Sequence, residues 1–234
     1  MPAQYKRIQI EQEINKRINA DDYEFKDLLE AYKNCSNDMS EREEQFYLYE
    51  SAYYKSKHNG ENAVILADFI QALQKTFEGY TVQTDIENIV LMPDEMIIFY
   101  NIAYCLCREG KRQQAITAAN QLYKLYQKYD LMDSIMPLGL DAIARMLSQW
   151  LLADGQLDMA LQVADKGCAS CTKYGRMKNL PYLLHTKSLI LLGLGKEEGR
   201  ILFKRTYMFF EALGNKEMMA EINLHKEVFY ECGK

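Results

Sequence analysis

The chain has 234 residues, 48% of them apolar and 26% charged, which is enough to bury a sizeable core and excludes an intrinsically disordered protein. A formal charge of -5, without clustered lysine and arginine, gives this chain alone no electrostatic reason to bind nucleic acid. Four prolines and twelve glycines, against many Leu, Ala, Lys, Glu, Gln and Met, predict an all-α protein, because straight-chain residues lose little rotamer freedom in a helix.

The N-terminus, MPAQYKRIQIEQEI, has no apolar signal core. Apolar periodicity predicts N-terminal helices over 4–19 and 23–35, inside a leading segment 1–37, with Asp21 and Asp22 breaking one from the other. Ser40 before EREEQ is a capping-box arrangement that opens a helix over 40–57, paired with one over 61–77. The segment 78–92, EGYTVQTDIENIVLM, is the least periodic and predicts a short helix followed by a turn. Pro93-Asp94 opens the helix 94–108, and the remaining helices are predicted over 111–129, 138–153, 157–173, 180–194, 197–213 and 216–232. The pairs span 40–77, 94–129, 138–173 and 180–213, with 216–232 as a C-terminal capping helix of one domain, 1–234. The most apolar stretch, LPYLLHTKSLILLGLG, is short and interrupted by His185 and Lys187, so no membrane span and a cytosolic location are expected.

The helices repeat. REGKRQQAI (108–116) is echoed by LADGQLDMAL (152–161), so that Gly110 and Ala115 match Gly155 and Ala160 at a common offset of 45. In each, a helix runs into a glycine suited to a left-handed cap, and a second amphipathic helix follows at once. Its small alanine allows close crossing of the pair. LGLGKEEGRILF (192–203) repeats the device, with Gly199 one residue early or Arg200 at the alanine position. KSKHNGENAVIL (55–66) is a looser copy with Gly60 and Ala63. Counting back from Ala115 puts Phe99, Ile102, Ala103 and Leu106 at core positions, and from Ala160 puts Ala144, Leu147, Ser148 and Leu151 there. This pattern predicts a right-handed superhelical array of tetratricopeptide-like (TPR-like) helix-turn-helix repeats, longer than the usual repeat of roughly 34 residues.

Motifs for catalysis are missing: there is no G-x-G-x-x-G, P-loop or H-E-x-x-H, and His58, His185 and His225 are scattered. Cys168 and Cys171 form a C-x-x-C without a second ligand pair or a βαβ setting, so the six cysteines read as reduced, structural thiols. Neither an enzyme nor a bound cofactor or metal is expected.

Three segments in this order, DDYEFKDLLEAY, then KTFEGY with IENIVLMPDEMIIFYNIAYCLCREGKRQQAI, then MLSQWLLADGQLDMALQVADKGCASCTKYGRMKNLPYLLHTKSLILLGLGKEEG, resemble the sensor half of peptide-pheromone-responsive transcriptional regulators of Firmicutes, of the Rgg/PlcR type. The resemblance covers nearly the whole chain. It implies a TPR-like array that dimerises, binds a short signalling peptide in its concave groove and controls a helix-turn-helix DNA-binding domain. No such module precedes Tyr5, so the chain is expected to be an excised sensor domain or a regulator without its reader.

In a TPR array the first helix of each pair lines the groove. That register places Ile97, Tyr100, Asn101, Tyr104 and Arg108 there from one pair, Ala142, Arg145, Met146 and Gln149 from the next, and Tyr182, His185, Thr186 and Leu189 from the last. Asn101 offers both a donor and an acceptor to an extended peptide backbone, and the resemblance implies that groove asparagines serve this way; the other reading is a tie to a neighbouring helix. Arg145 suits a peptide carboxylate or a salt bridge to an adjacent helix. His185 reads first as a structural histidine, and the tyrosines and methionines as core. Met218, Ile222, Val228 and Phe229 on the last helix have no following repeat to cover them, so a homodimer is expected. The alternative function is a stand-alone scaffold holding an extended segment of another protein.

Overall fold

The computed structural model describes residues 3–35, 38–129 and 138–224, and over these the chain is an all-α helical repeat array without strands. The helices are α1 (Ala3–Asn19), α2 (Lys26–Lys33), α3 (Glu41–Lys57), α4 (Asn62–Gln74), α5 (Pro93–Arg108), α6 (Arg112–Tyr129), α7 (Leu140–Ala153), α8 (Leu157–Tyr174), α9 (Leu180–Gly193), α10 (Glu198–Ala212) and α11 (Lys216–Leu224). They fall into two compact units, Met1–Leu122 and Tyr123–Lys234.

One turn chemistry joins most pairs. Gly110, Gly155 and Gly195 all take positive φ, as their sequence contexts predict. In each case the next residue donates its N–H to the carbonyl five positions back: Lys111 to Leu106, Gln156 to Leu151 and Lys196 to Leu191. The looser copy differs. There the left-handed residue is Asn59, not Gly60, and Gly60 makes the closing bond to Lys55 O. Asparagine tolerates that conformation, which leaves the glycine one place later.

Behind these turns the small residues sit where helices cross. Ala115 and Ala160 are fully buried, and at the last turn Gly199 takes the position, since a Cβ there would meet Leu192 N at 2.8 Å and Ser188 O at 2.9 Å. Ala63 is exposed instead, and Ile65 is the buried residue of its turn. All eight core positions counted back from the two alanines are buried.

In the first unit, Ile10, Ile14, Phe25, Leu29 and Tyr32 form one core cluster. Ser40 caps α3 through a complete capping box with Glu43. α2 starts later than periodicity predicts, because Asp22 accepts the Glu24 N–H and holds the preceding residues in a turn. The expected short helix in 78–92 is absent. Tyr80, Ile86 and Leu91 are buried at non-helical spacing, and Gln74 Nε2 donates to Tyr80 O at 2.8 Å, so the segment is held as anchored turns. A hydrogen-bonded chain from buried Gln45 through exposed Thr76 to buried Glu95 ties α3 and the segment after α4 to the start of α5.

In the second unit, Phe203, Phe210, Met218 and Ile222 form a core cluster. This corrects the expectation that Met218 and Ile222 lie uncovered: α10 covers both. Val228 and Phe229 lie outside the described residues. No helix among the described residues is long and apolar enough to cross a membrane.

Candidate functional site

The first unit offers a face built from α1, α3 and α5. Gln4, Ile8 and Glu11 of α1, Arg42 and Phe46 of α3, and Asp94 at the start of α5 line a cavity of about 320 Å³. Further along α5, helical periodicity separates the buried residues Ile98, Phe99, Ile102, Ala103 and Leu106 from a stripe comprising Ile97, Asn101, Tyr104 and Arg108. Ile97 and Asn101 are half-buried, Tyr104 is 49% exposed, and Arg108 is exposed.

Asn101 Nδ2 donates to Ile97 O, one turn back on its own helix, at 2.9 Å. Its amide also faces the Tyr49 hydroxyl of α3, so the two first helices meet at this pair.

Sequence reasoning missed the α3 contribution. Tyr49 and Tyr53 stack at 6.2 Å, Tyr53 meets Tyr23 edge-on at 6.1 Å, and Lys57 Nζ lies over both Tyr23 (4.3 Å) and Tyr53 (5.2 Å). Glu50, one residue from Tyr49, is only 3% exposed, and its Oε2 has no hydrogen-bond partner. Burial, and then the Asp94 carboxylate, push the Glu50 carboxyl up to about 8. The signal available beforehand was a lone acid inside the aromatic run YLYESAYYK.

In the second unit, Arg145 on α7 lies over the Tyr182 ring of α9 at 3.9 Å and donates from Nη1 to Asn179 Oδ1 at 3.2 Å. Asn179 in turn donates to Asp141 at 2.6 Å, and Arg176 lies 3.6 Å from the same carboxylate. Gln149 is half-buried on α7. Tyr182 also meets Phe210 edge-on and accepts from Asn215 Nδ2 at 3.3 Å. His185 sits apart from these: it is 3% exposed and turned toward Phe203 of α10, with ring centroids 5.5 Å apart. Met146 and Thr186 are likewise buried. Cys168 of the C-x-x-C motif lies on α8, where burial pushes its thiol up to about 11.

No protein-family model matches the chain, and no curated protein matches it in sequence. Solved structures do match in fold. PlcR of Bacillus thuringiensis aligns in its apo form at a TM-score of 0.71 and 13% identity, over 93% of this chain and 78% of that one. In complex with the peptide PapR7 and DNA it aligns at 0.66 and 14% identity, over 96% and 74%. A Rap protein complexed with Competence and Sporulation Factor aligns at 0.68 and 14% identity, over 98% of this chain and 61% of its own length. TPR-like repeats of a Podospora anserina kinesin light chain variant align at 0.59 and 15% identity, over 92% and 98%. At such identities the likeness is one of fold, a TPR-like helical array.

Proposed function

We propose that the chain is the peptide-sensing domain of a cytoplasmic transcriptional regulator of the Rgg/PlcR kind from Firmicutes, acting without catalysis in quorum sensing. The observation that carries this reading is Asn101: a half-buried amide on the α5 stripe, set against the Tyr49 hydroxyl at the edge of an aromatic floor. An extended peptide presents alternating N–H and C=O groups, and a side-chain amide pairs with them whatever the peptide's sequence. The fold shared with PlcR and Rap proteins supports the reading, since structures of both hold a partner, the peptide PapR7 in one and Competence and Sporulation Factor in the other.

In the first unit, Ile97, Tyr104 and Arg108 extend the peptide-binding stripe on either side of Asn101. In the second, Arg145 with Gln149 and Tyr182 receives a carboxylate, whereas His185 contributes through packing. Binding is transmitted through a homodimer to a DNA-binding domain. The surface that supports dimerisation is formed by Ile201, Met208 and Phe209 of α10 with its C-cap Leu213, all large apolar residues exposed to about half or more. Light scattering at micromolar concentration should give twice the chain mass.

The deciding experiment is mass spectrometry of the protein isolated from its native cells under non-denaturing conditions. A bound short peptide, lost in Asn101→Ala, is expected. Recovery of only whole folded proteins would favour a scaffold and overturn the sensor reading.

A further inference from the structure

We propose that Glu50 recognises a positively charged group of the bound peptide, either its amino terminus or a Lys or Arg side chain. The inference rests on the peptide-sensing reading and names a chemical requirement of the ligand.

Buried acids elsewhere in the described chain have partners. Glu95 accepts from the Thr76 hydroxyl and the Met92 N–H, and Asp141 accepts from Asn179 beside Arg176. Glu50 is the exception: Asp141 Oδ1 also lacks a hydrogen bond but has Arg176 3.6 Å away, whereas Glu50 Oε2 is buried with neither a donor nor a described cation paired to the carboxyl. A desolvated carboxylate is strongly unfavourable unless a countercharge meets it. The groups acting on it are Asp94 from α5 and the Tyr49 and Tyr53 hydroxyls of its own helix, none of them positive. Asp94 is exposed, and its cation, Arg42, stands 3.5 Å away and is itself 80% exposed. Around the carboxyl, therefore, stand one carboxylate and two neutral hydroxyls, beneath tyrosine rings that are only partly buried.

That surface already accepts an ammonium. Lys57 lies over the rings of Tyr23 and Tyr53 at the end of the row, where it makes no ion pair with Glu50. Tyrosine faces and a carboxylate together form the usual surroundings of a desolvated cation. An incoming cationic group would ionise Glu50, whose proton passes to solvent, and would rest against Tyr49 and Tyr53. Asn101, facing Tyr49, would then hold the adjoining peptide backbone.

The test selects short random peptides on the full chain, using one synthetic library with free amino termini and one with acetylated termini, against wild type, Glu50→Gln and Asp94→Asn. Wild type should enrich peptides with a positive group at one position. Glu50→Gln should lose that preference at least tenfold while still enriching the same uncharged residues elsewhere, and its circular dichroism should match wild type. Exposed Asp94→Asn, which leaves the core untouched, should weaken the preference in part. A preference that survives acetylation assigns the cation to Lys or Arg, and one that disappears assigns it to the terminus. Enriched peptides without a positive preference, or a preference unchanged in Glu50→Gln, would overturn the role of Glu50 alone. No enrichment on wild type would overturn the peptide-sensing reading along with it.

Discussion

The guanidinium of Arg145 lies over the ring of Tyr182, 3.9 Å from its centroid, while Nη1 holds Asn179 at 3.2 Å. The nearby acid, Asp141, is already engaged by Asn179 and Arg176. Arg145 thus fastens α7 to α9 by stacking and a neutral acceptor, and no described carboxylate neutralises its charge. The two sequence readings of this residue, helix tie and anion receptor, are compatible, because the stacked face does the tying and the remaining donors stay open.

Removing that side chain should therefore cost stability. Arg145→Ala is expected to destabilise by about 1–2 kcal/mol, from a lost cation–π contact and one hydrogen bond, with Arg145→Lys recovering part of the loss. Thermal melts of the three proteins check this. An unchanged Tm in Arg145→Ala would mean that the stack holds nothing together.

Two glycines at the α9–α10 junction should respond in opposite ways. A methyl at Gly199 meets backbone atoms, Leu192 N at 2.8 Å and Ser188 O at 2.9 Å, which cannot give way without shifting a helix. At Gly193 the nearest atom is the flexible tip of Leu157, at 3.2 Å. Gly199→Ala should cost about 1–3 kcal/mol, and Gly193→Ala should be neutral or stabilising by less than about 1 kcal/mol. Urea unfolding of both variants would expose an error if their order were reversed.

Much of the array was legible because its devices are local. A left-handed turn needs Gly at 110, 155 and 195, and helical periodicity alone divides the α5 stripe from its core face. What escaped was decided by tertiary partners. Tyr80, Ile86 and Leu91 are anchored one at a time, which leaves no period to read. His185 shares its helix with Tyr182, but α10 covers it through Phe203. Glu50 sits in an ordinary helix-forming context, and only the folded chain removes its water and brings Asp94 beside it.

Glu50 also makes stability depend on pH in a definite direction. Its carboxyl rises from 4.5 to about 8 on folding, through burial and the Asp94 charge, so the folded state holds the proton more tightly. Its contribution is complete below pH 4.5, declines through the interval up to about pH 8, and is lost above it. Glu50→Gln removes this penalty. Relative to wild type, the variant should gain stability between pH 5 and pH 8 by up to about 1.4 kcal/mol per pH unit, with the difference levelling off beyond. Asp94 and the two tyrosines remain in both proteins, so their titrations largely cancel. A stability difference that stays flat across this range would show that Glu50 is ionised throughout.

Asn101 separates ligand binding from folding most directly. Its side-chain bond goes to Ile97 O, a carbonyl that lies four residues back and is placed to receive the Asn101 backbone N–H as well. Deleting the amide therefore strands no helix carbonyl, and what is lost inside the protein is the contact with Tyr49. Asn101→Ala should lower stability by no more than about 1 kcal/mol. If the amide holds a peptide backbone, the same change removes one or two hydrogen bonds to ligand and should weaken binding by about 1–3 kcal/mol, roughly tenfold or more. Asn101→Asp keeps an acceptor of the same size but loses the donor, and it places a further negative charge near Glu50 and Asp94. Its binding should fail for backbone pairing that needs both functions. Isothermal titration with a peptide recovered from the protein, alongside thermal melts, measures both quantities. A large fall in Tm in both variants with unaltered titration would assign Asn101 to holding helices together and leave the peptide to other residues.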